Sequence, residues 1–154
     1  QPRRFFEILH KTIIATDEGI ILIAEHDGEP VAGLFLIQSG DTLYYKFNAS
    51  TDRGSRPNDL LACRAMQEGP HRGLQVLDFG FSDLDQPGLH RFKRKFAGRE
   101  ETIVEAGHTP PGWDPSAGAS AGQLLGSLTR LFVDPLVPDA LSVRAGDVLY
   151  RYFC

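Results

Sequence analysis

Residues 19 to 47 read GIILIAEHDGEPVAGLFLIQSGDTLYYKF, and this stretch decides the fold class. Gly19 to Glu25 is a continuous run dominated by β-branched residues, which predicts a strand buried on both faces. Asp27-Gly28-Glu29-Pro30 predicts a tight reversal, with Gly28 free to take positive φ. Val31 to Ile37 is the returning strand. Ser39-Gly40-Asp41 makes a second turn, and Thr42 to Phe47 a third strand of aromatic character. The sum is an antiparallel meander.

Outward from the meander the pattern changes. Ala49 to Arg56 is a polar loop, and Pro57 suits the first turn of a helix that continues to Glu68 and ends at Gly69-Pro70. Leu74 to Gly80 is a further strand, Phe81 to Gly88 a loop, and Leu89 to Phe96 a short basic helix. Thr102-Ile103-Val104 has the composition of a last strand. Upstream, Arg4 to His10 suits the end of an amphipathic helix. The order β-β-β-α-β-α-β predicts an α/β (α+β) layer with helices against a mixed, mainly antiparallel sheet. Residues 108–122 are rich in Pro, Gly, Ala and Ser and read as a linker. Apolar pieces over about 123–133 and 139–153 predict a helical tail, broken by Pro135 and Pro138. The expected division is therefore 1–107, 108–122 and 123–154.

Composition limits the function classes. The 154 residues are 42% hydrophobic and 23% charged, as one globular domain with a sizeable core requires. A net charge of −4 excludes a chain that coats nucleic acid over its whole surface, and no role on DNA is expected. No apolar run approaches the roughly 18 residues that cross a bilayer, so a cytoplasmic protein is expected. Cys63 and Cys154 lie far apart, and the five histidines have no ligand spacing, so neither a disulfide framework nor a metal site is implied. No Ser-His-Asp or Cys-His arrangement can be argued. Met66 is the only methionine and the chain opens at Gln1, which suggests a piece of a longer or processed protein with an upstream domain.

Three constellations carry candidate chemistry. In Leu89-His90-Arg91-Phe92-Lys93-Arg94-Lys95-Phe96, a helical period puts Leu89, Phe92 and Phe96 on one apolar stripe, with Arg91, Arg94 and Lys95 opposite. Lys93 falls on the flank of the stripe. Its ammonium either snorkels to solvent or enters a cleft, where it would stabilise developing negative charge. The junction Thr51-Asp52-Arg53-Gly54-Ser55-Arg56-Pro57-Asn58 is either a helix start capped by Ser55 or Asn58, or an anion site of free N–H groups sharpened by two arginines. Asp78-Phe79-Gly80-Phe81-Ser82-Asp83 ends a strand, where sites gather. Asp83, in the loop, and Asp78, in the strand, are candidates for handling an amine; ordinary turn chemistry would use the same residues.

Together, LIAEHDGEPVAGLFLIQSGDTLYYKFNAS, RPNDLL, LDFGFSD and GLHRFKRKFAG resemble the FemAB-like branch of the GNAT (acyl-CoA N-acyltransferase) superfamily. The resemblance runs from about Phe5 to Gly98, with a weaker echo in LYRYF. It implies a GNAT fold whose first strand and helix lie upstream of Gln1. It also implies transfer of an acyl or aminoacyl group from acyl-CoA or aminoacyl-tRNA, used as co-substrate, to an amine on a small molecule or cell-envelope precursor. By the same resemblance Phe92 and Lys93 are the functional pair, Lys93 stabilising the oxyanion. The donor falls to Arg53, Gly54, Ser55, Arg56 and Asn58, a loop that departs from the superfamily signature in holding one glycine. Tyr45, Asp78, Ser82 and Arg91 are the expected substrate contacts. Two other classes stand beside this one: a non-catalytic binding half of a tandem protein, and an RNA-contacting domain using Arg91, Arg94, Lys95 and Arg99.

Overall fold

Asp27 (φ 53°) and Gly28 (φ 83°) both lie in the left-handed region, as a two-residue hairpin turn requires. They join strands β1 (Gly19–His26) and β2 (Glu29–Ser39), and Gly40 (φ 60°) turns β2 into β3 (Thr42–Ser50). The meander is antiparallel throughout, in register from Gly19 opposite Ile37 and from Ser39 opposite Thr42. Its second ladder shifts between Phe35 and Leu36, which face Phe47 and Tyr45, so Lys46 is the extra residue of a bulge. The fourth strand, β4 (Val76–Asp78), joins β3 in parallel to give the order β1-β2-β3-β4. A parallel neighbour needs a crossover, and helix α2 (Pro57–His71) supplies it. This is the expected mixed α/β sheet with helices. The structure, a computed structural model, describes residues 2–52, 54–104, 106–108, 112, 115–132, 134 and 136–149.

Leu34, Leu36 and Leu43 are fully buried, and α2 lays Leu61 and Ala65 over them at i, i+4 spacing. Each fully buried leucine stabilises the fold by about 1.5–3 kcal/mol. Ile20, Leu22 and Ala24 of β1 join this cluster. The expectation that β1 is buried on both faces is corrected: Ile21 and Ile23 are 43% and 60% exposed. Side chains alternate across a strand, and α2 covers one face. A β-branched run reports strand propensity, not how many faces are covered. Gly19 is required by close approach, because a Cβ there would lie 2.6 Å from the Leu36 carbonyl oxygen and 2.7 Å from Ile13 Cγ2. Ile13 belongs to a π-helical turn, His10–Ile14, ahead of β1. Arg72, just past α2, donates to the Asp17 carboxylate (2.9 Å) and carbonyl (3.3 Å), tying the crossover to that turn.

Further corrections concern the later chain. Thr102–Val104 forms no strand; Ile103 and Val104 are exposed, and local β-propensity without a neighbouring strand does not make a ladder. The basic helix α3 spans Pro87–Lys93 and closes in a turn through Phe96. Helix α4 (Pro115–Phe132) begins inside the stretch read as linker. Its alanines are the best helix formers, and leucines at 124, 125, 128 and 131 supply an apolar stripe that composition alone hides. Helix α5 spans Asp139–Leu149, and Ser142 Oγ donates to the Phe132 carbonyl at 2.5 Å. Pro135 and the Tyr150–Phe153 part of LYRYF lie outside the described residues. Two compact units result: Gln1–Leu9 with Val104–Cys154, which holds α1 (Arg3–Leu9), α4 and α5, and His10–Ile103, which holds the sheet, α2 and α3.

Candidate active site

Strands β3 and β4 pair over only three positions, ending at Tyr44 opposite Asp78. β3 then runs on to Ser50 while the chain after Asp78 leaves it. Asp78 Oδ1 accepts the Gly80 N–H at 2.6 Å, and Gly80 takes φ 66°. From α3, Lys93 Nζ donates to the carbonyls of Gly80 (2.9 Å) and Phe81 (2.8 Å). Partial burial holds the Lys93 ammonium below the usual lysine range, opposed by the charge of Asp78. The lysine that spacing isolates on the helix flank thus turns inward, onto backbone carbonyls.

Phe92 and Phe96 seat α3. Their rings meet at 5.4 Å, Phe96 stacks on Phe79 at 6.0 Å, and Phe79 stacks on Tyr45 at 5.3 Å. The Tyr45 hydroxyl is buried, and so is Ser82 Oγ; among the described residues neither has a hydrogen-bond partner. Burial, with the nearby charge of Asp59, pushes the Tyr45 phenol up to about 12, so it stays a neutral donor across the ordinary pH range. Asp59, in the first turn of α2, is held by Lys95 at 2.9 Å, and Lys95 lies 5.5 Å from the Phe92 ring centroid. The ion pair therefore joins α2 to the turn that closes α3, and the aromatic cluster joins α3 to β3, beside the point where the strands part.

The loop before α2 differs from the capped helix start. Neither Ser55 nor Asn58 caps the helix; the cap residue is Arg56, in the left-handed region at φ 54° and without a side-chain cap bond. Asp52 instead fills the loop from within, Oδ1 accepting the Gly54 N–H at 2.7 Å and Oδ2 the Ser55 hydroxyl at 2.5 Å. These donors hold the Asp52 carboxyl below the usual range, Ser55 contributing most. Asn58 Oδ1 accepts from Asn48 at the end of β3 (3.1 Å). Arg53 lies outside the described residues.

Of the other expected residues, Arg91 and Asp83 make contacts of their own. Arg91 lines a recess of about 490 Å³ with Leu84, Pro87, His90, Arg94 and Glu100; Lys93 is not in that lining. The Asp83 carbonyl lies 3.0 Å from His90 Nε2. Of the basic face, Arg94 is held by Glu100 through two bonds of 2.6 and 2.8 Å, Lys95 by Asp59, and Arg99 by Glu101. Arg91 is the member with no ion pair among the described residues. Sequence reasoning missed Asp59, and it held Asp52 and Phe79 within its motifs without giving either a part in shaping the site. Phe79 had a signal in its two-residue alternation with Leu77, whereas Asp52 and Asp59 looked like ordinary loop and first-turn acids.

A meander whose last strand parts from a parallel neighbour reached through one helix, with a polar loop entering that helix, defines an acyltransferase fold of the GNAT class. The chain belongs to the acetyltransferase (GNAT) domain family, whose family model matches residues 1–94. Two solved structures share the fold. Aminoglycoside N-acetyltransferase AAC(6')-Iy, solved in complex with CoA, is 13% identical at a TM-score of 0.51, over 70% of this chain and 87% of that one. Aminoglycoside 6'-N-acetyltransferase AAC(6')-IG from Acinetobacter haemolyticus is 15% identical at 0.53, over 70% and 81%. No curated protein matches the chain. Among the described residues no helix is long and apolar enough to cross a membrane, and no group of His, Cys, Asp and Glu is placed to hold a metal ion.

Proposed function

We propose that the chain is a cytoplasmic N-acyltransferase of the FemAB-like branch. It transfers an acyl or aminoacyl group from a phosphorylated donor, acyl-CoA or aminoacyl-tRNA, to an amine on a small molecule or envelope precursor. The observation that carries this reading is the parting of β3 and β4 after Tyr44 and Asp78, with two unpartnered buried hydroxyls, Tyr45 and Ser82, beside it. Buried hydroxyls without partners are rare enough that a bound substrate is the natural partner. The amine nitrogen attacks the donor carbonyl, the tetrahedral oxyanion collapses, the donor's thiol or ribose oxygen leaves, and the amine proton passes to Asp83 or solvent. Phe92 seats the helix that brings Lys93 to the cleft. Two of the three Lys93 N–H groups are committed to carbonyls, which leaves one for the oxyanion. Gly54, Ser55 and Arg56, with Arg53 and Asn58, receive the donor phosphates once Asp52 gives up its bonds.

A CoA-containing structure of the same fold supports acyl-CoA as the first donor to try. The internal pairing of Arg94, Lys95 and Arg99 weighs against an RNA-contacting surface as the main role. The test is thiol release from acetyl-CoA against a panel of amines, aminoglycosides and envelope precursors included, run beside thermal shift with acetyl-CoA and with aminoacyl-tRNA. A donor at a hundred times its Kd raises stability by about 2.7 kcal/mol. Stabilisation by a donor without turnover on any amine would favour the non-catalytic binding half. No stabilisation by either donor would overturn the acyl-transfer reading.

A further inference from the structure

We infer that Asp78 and Lys93 form a wedge that keeps the continuation of β4 off β3, so that Lys93 is a positioning residue for the donor cleft. The inference deepens the acyl-transfer reading and rests on it for its kinetic arm. Two adjacent parallel strands go on pairing unless their N–H and C=O groups find other partners, because those groups must be satisfied somewhere. β3 offers six further residues, Tyr45–Ser50, beyond its last contact with β4. On the β4 side the next polar groups are already taken by side chains. Asp78, the last ladder residue, reaches forward to accept the Gly80 N–H, and Lys93 takes the Gly80 and Phe81 carbonyls in succession. Gly80 at φ 66° breaks the extended run at the same point. The four devices coincide within Asp78–Phe81, which is where the cleft begins.

The geometry also explains why a lysine occupies the flank of α3. Its stem leaves the apolar stripe that Phe92 and Phe96 bury against Phe79 and Tyr45, and its head meets two carbonyls in a half-buried setting. A cation there forms charge-assisted bonds that a neutral side chain cannot replace. The donor then feels Lys93 through the placement of residues 79–82, Ser82 included, as well as through the N–H left for the oxyanion. A group that fixes the cleft acts on donor binding, whereas a group that stabilises the oxyanion acts on turnover.

Lys93→Met and Asp78→Ala separate the two roles in the full chain, with Lys93→Arg as the conservative variant. Expected in both disruptive variants is amide exchange over residues 79–83 that is slower by about tenfold, as the freed groups take up pairing with β3. KM for acetyl-CoA should rise by about tenfold in both disruptive variants, Lys93→Met losing kcat as well with its oxyanion contact, and Lys93→Arg should restore both. Far-UV circular dichroism checks that the sheet persists. Unchanged or faster exchange over 79–83 in Lys93→Met would overturn the wedge, and so would an unchanged KM for acetyl-CoA in both variants. If the wild type binds and turns over no donor, the acyl-transfer reading fails while the exchange measurement still decides the wedge.

Discussion

Replacing Tyr45 by Phe removes one oxygen and keeps the ring that stacks on Phe79 at 5.3 Å. The hydroxyl is buried with no partner among the described residues, whereas in the unfolded chain water solvates it. An unmet buried polar group costs about 1–3 kcal/mol, and the half-buried position of Tyr45 places the effect at the lower end. Tyr45→Phe should therefore be more stable than wild type by about 1 kcal/mol at neutral pH, or roughly 2–4 °C in Tm for a chain of this size. The gap should also depend on pH. The folded phenol titrates at about 12 against an ordinary 10.0, so below pH 10 both states are protonated and the wild type keeps all of this contribution. As pH rises from 10 through 12 the unfolded state ionises first, and the wild type loses stability that the variant does not. The full shift corresponds to roughly 2.7 kcal/mol at 1.36 kcal/mol per unit, which solvent screening of a partly exposed group reduces to about 1 kcal/mol. Urea unfolding of both proteins at pH 7.5, 9 and 11.5 measures the two effects. A variant less stable than wild type at neutral pH would show that the hydroxyl is satisfied after all. A gap that stays flat across the three pH values would refute the account of its burial.

Asp59→Asn should lower the Tyr45 phenol from about 12, since the nearby carboxylate holds it up, and an absorbance titration at the phenolate band checks this. The same change should destabilise the fold by less than about 1 kcal/mol, because the Asp59–Lys95 pair is half exposed. Gly19→Ala should cost about 1–3 kcal/mol in denaturant unfolding, as its methyl would press on the Leu36 carbonyl and Ile13 with little room to yield. Asp52→Ala frees the Gly54 N–H and the Ser55 hydroxyl and removes a negative charge, so acetyl-CoA should bind several-fold more tightly by calorimetry. Weaker binding would mean that Asp52 shapes the loop for the donor and does not compete with it.

The meander was legible because each of its turns is written in residues that only a turn favours, Asp27-Gly28 and Ser39-Gly40-Asp41, between runs of strand formers. The position of β4 was legible too, and the Gly80 that ends it. What failed were features set by distant neighbours. Whether Ile21 and Ile23 are covered depends on what packs beyond the strand, and the fate of Thr102–Val104 on a partner strand that is absent among the described residues. The helix at Pro115 was hidden by counting Gly, Ala and Ser together, although alanine and glycine differ by nearly 1 kcal/mol in helix propensity. In the site, spacing isolated Lys93 on the flank of its helix. Where the ammonium goes was set by carbonyls 12 and 13 residues away, which no periodicity reports. In the loop before α2 the motif shows the donors but not that Asp52, within the same motif, holds the Gly54 N–H and the Ser55 hydroxyl.

The short parallel pairing of β4 has a consequence for how the chain assembles. The three antiparallel strands are joined by tight turns, so their ladders close small loops and form early. β4 reaches β3 only after the whole of α2 has been ordered between Tyr44 and Asp78, and three paired positions return little against that loop-closure entropy. The meander with α2 should therefore make up the folding nucleus, with β4 and α3 docking late as a separate cooperative unit. Reversed, the same order makes the edge of the cleft the first part of the sheet to come away, so ligands that grip it would slow unfolding more than they speed folding.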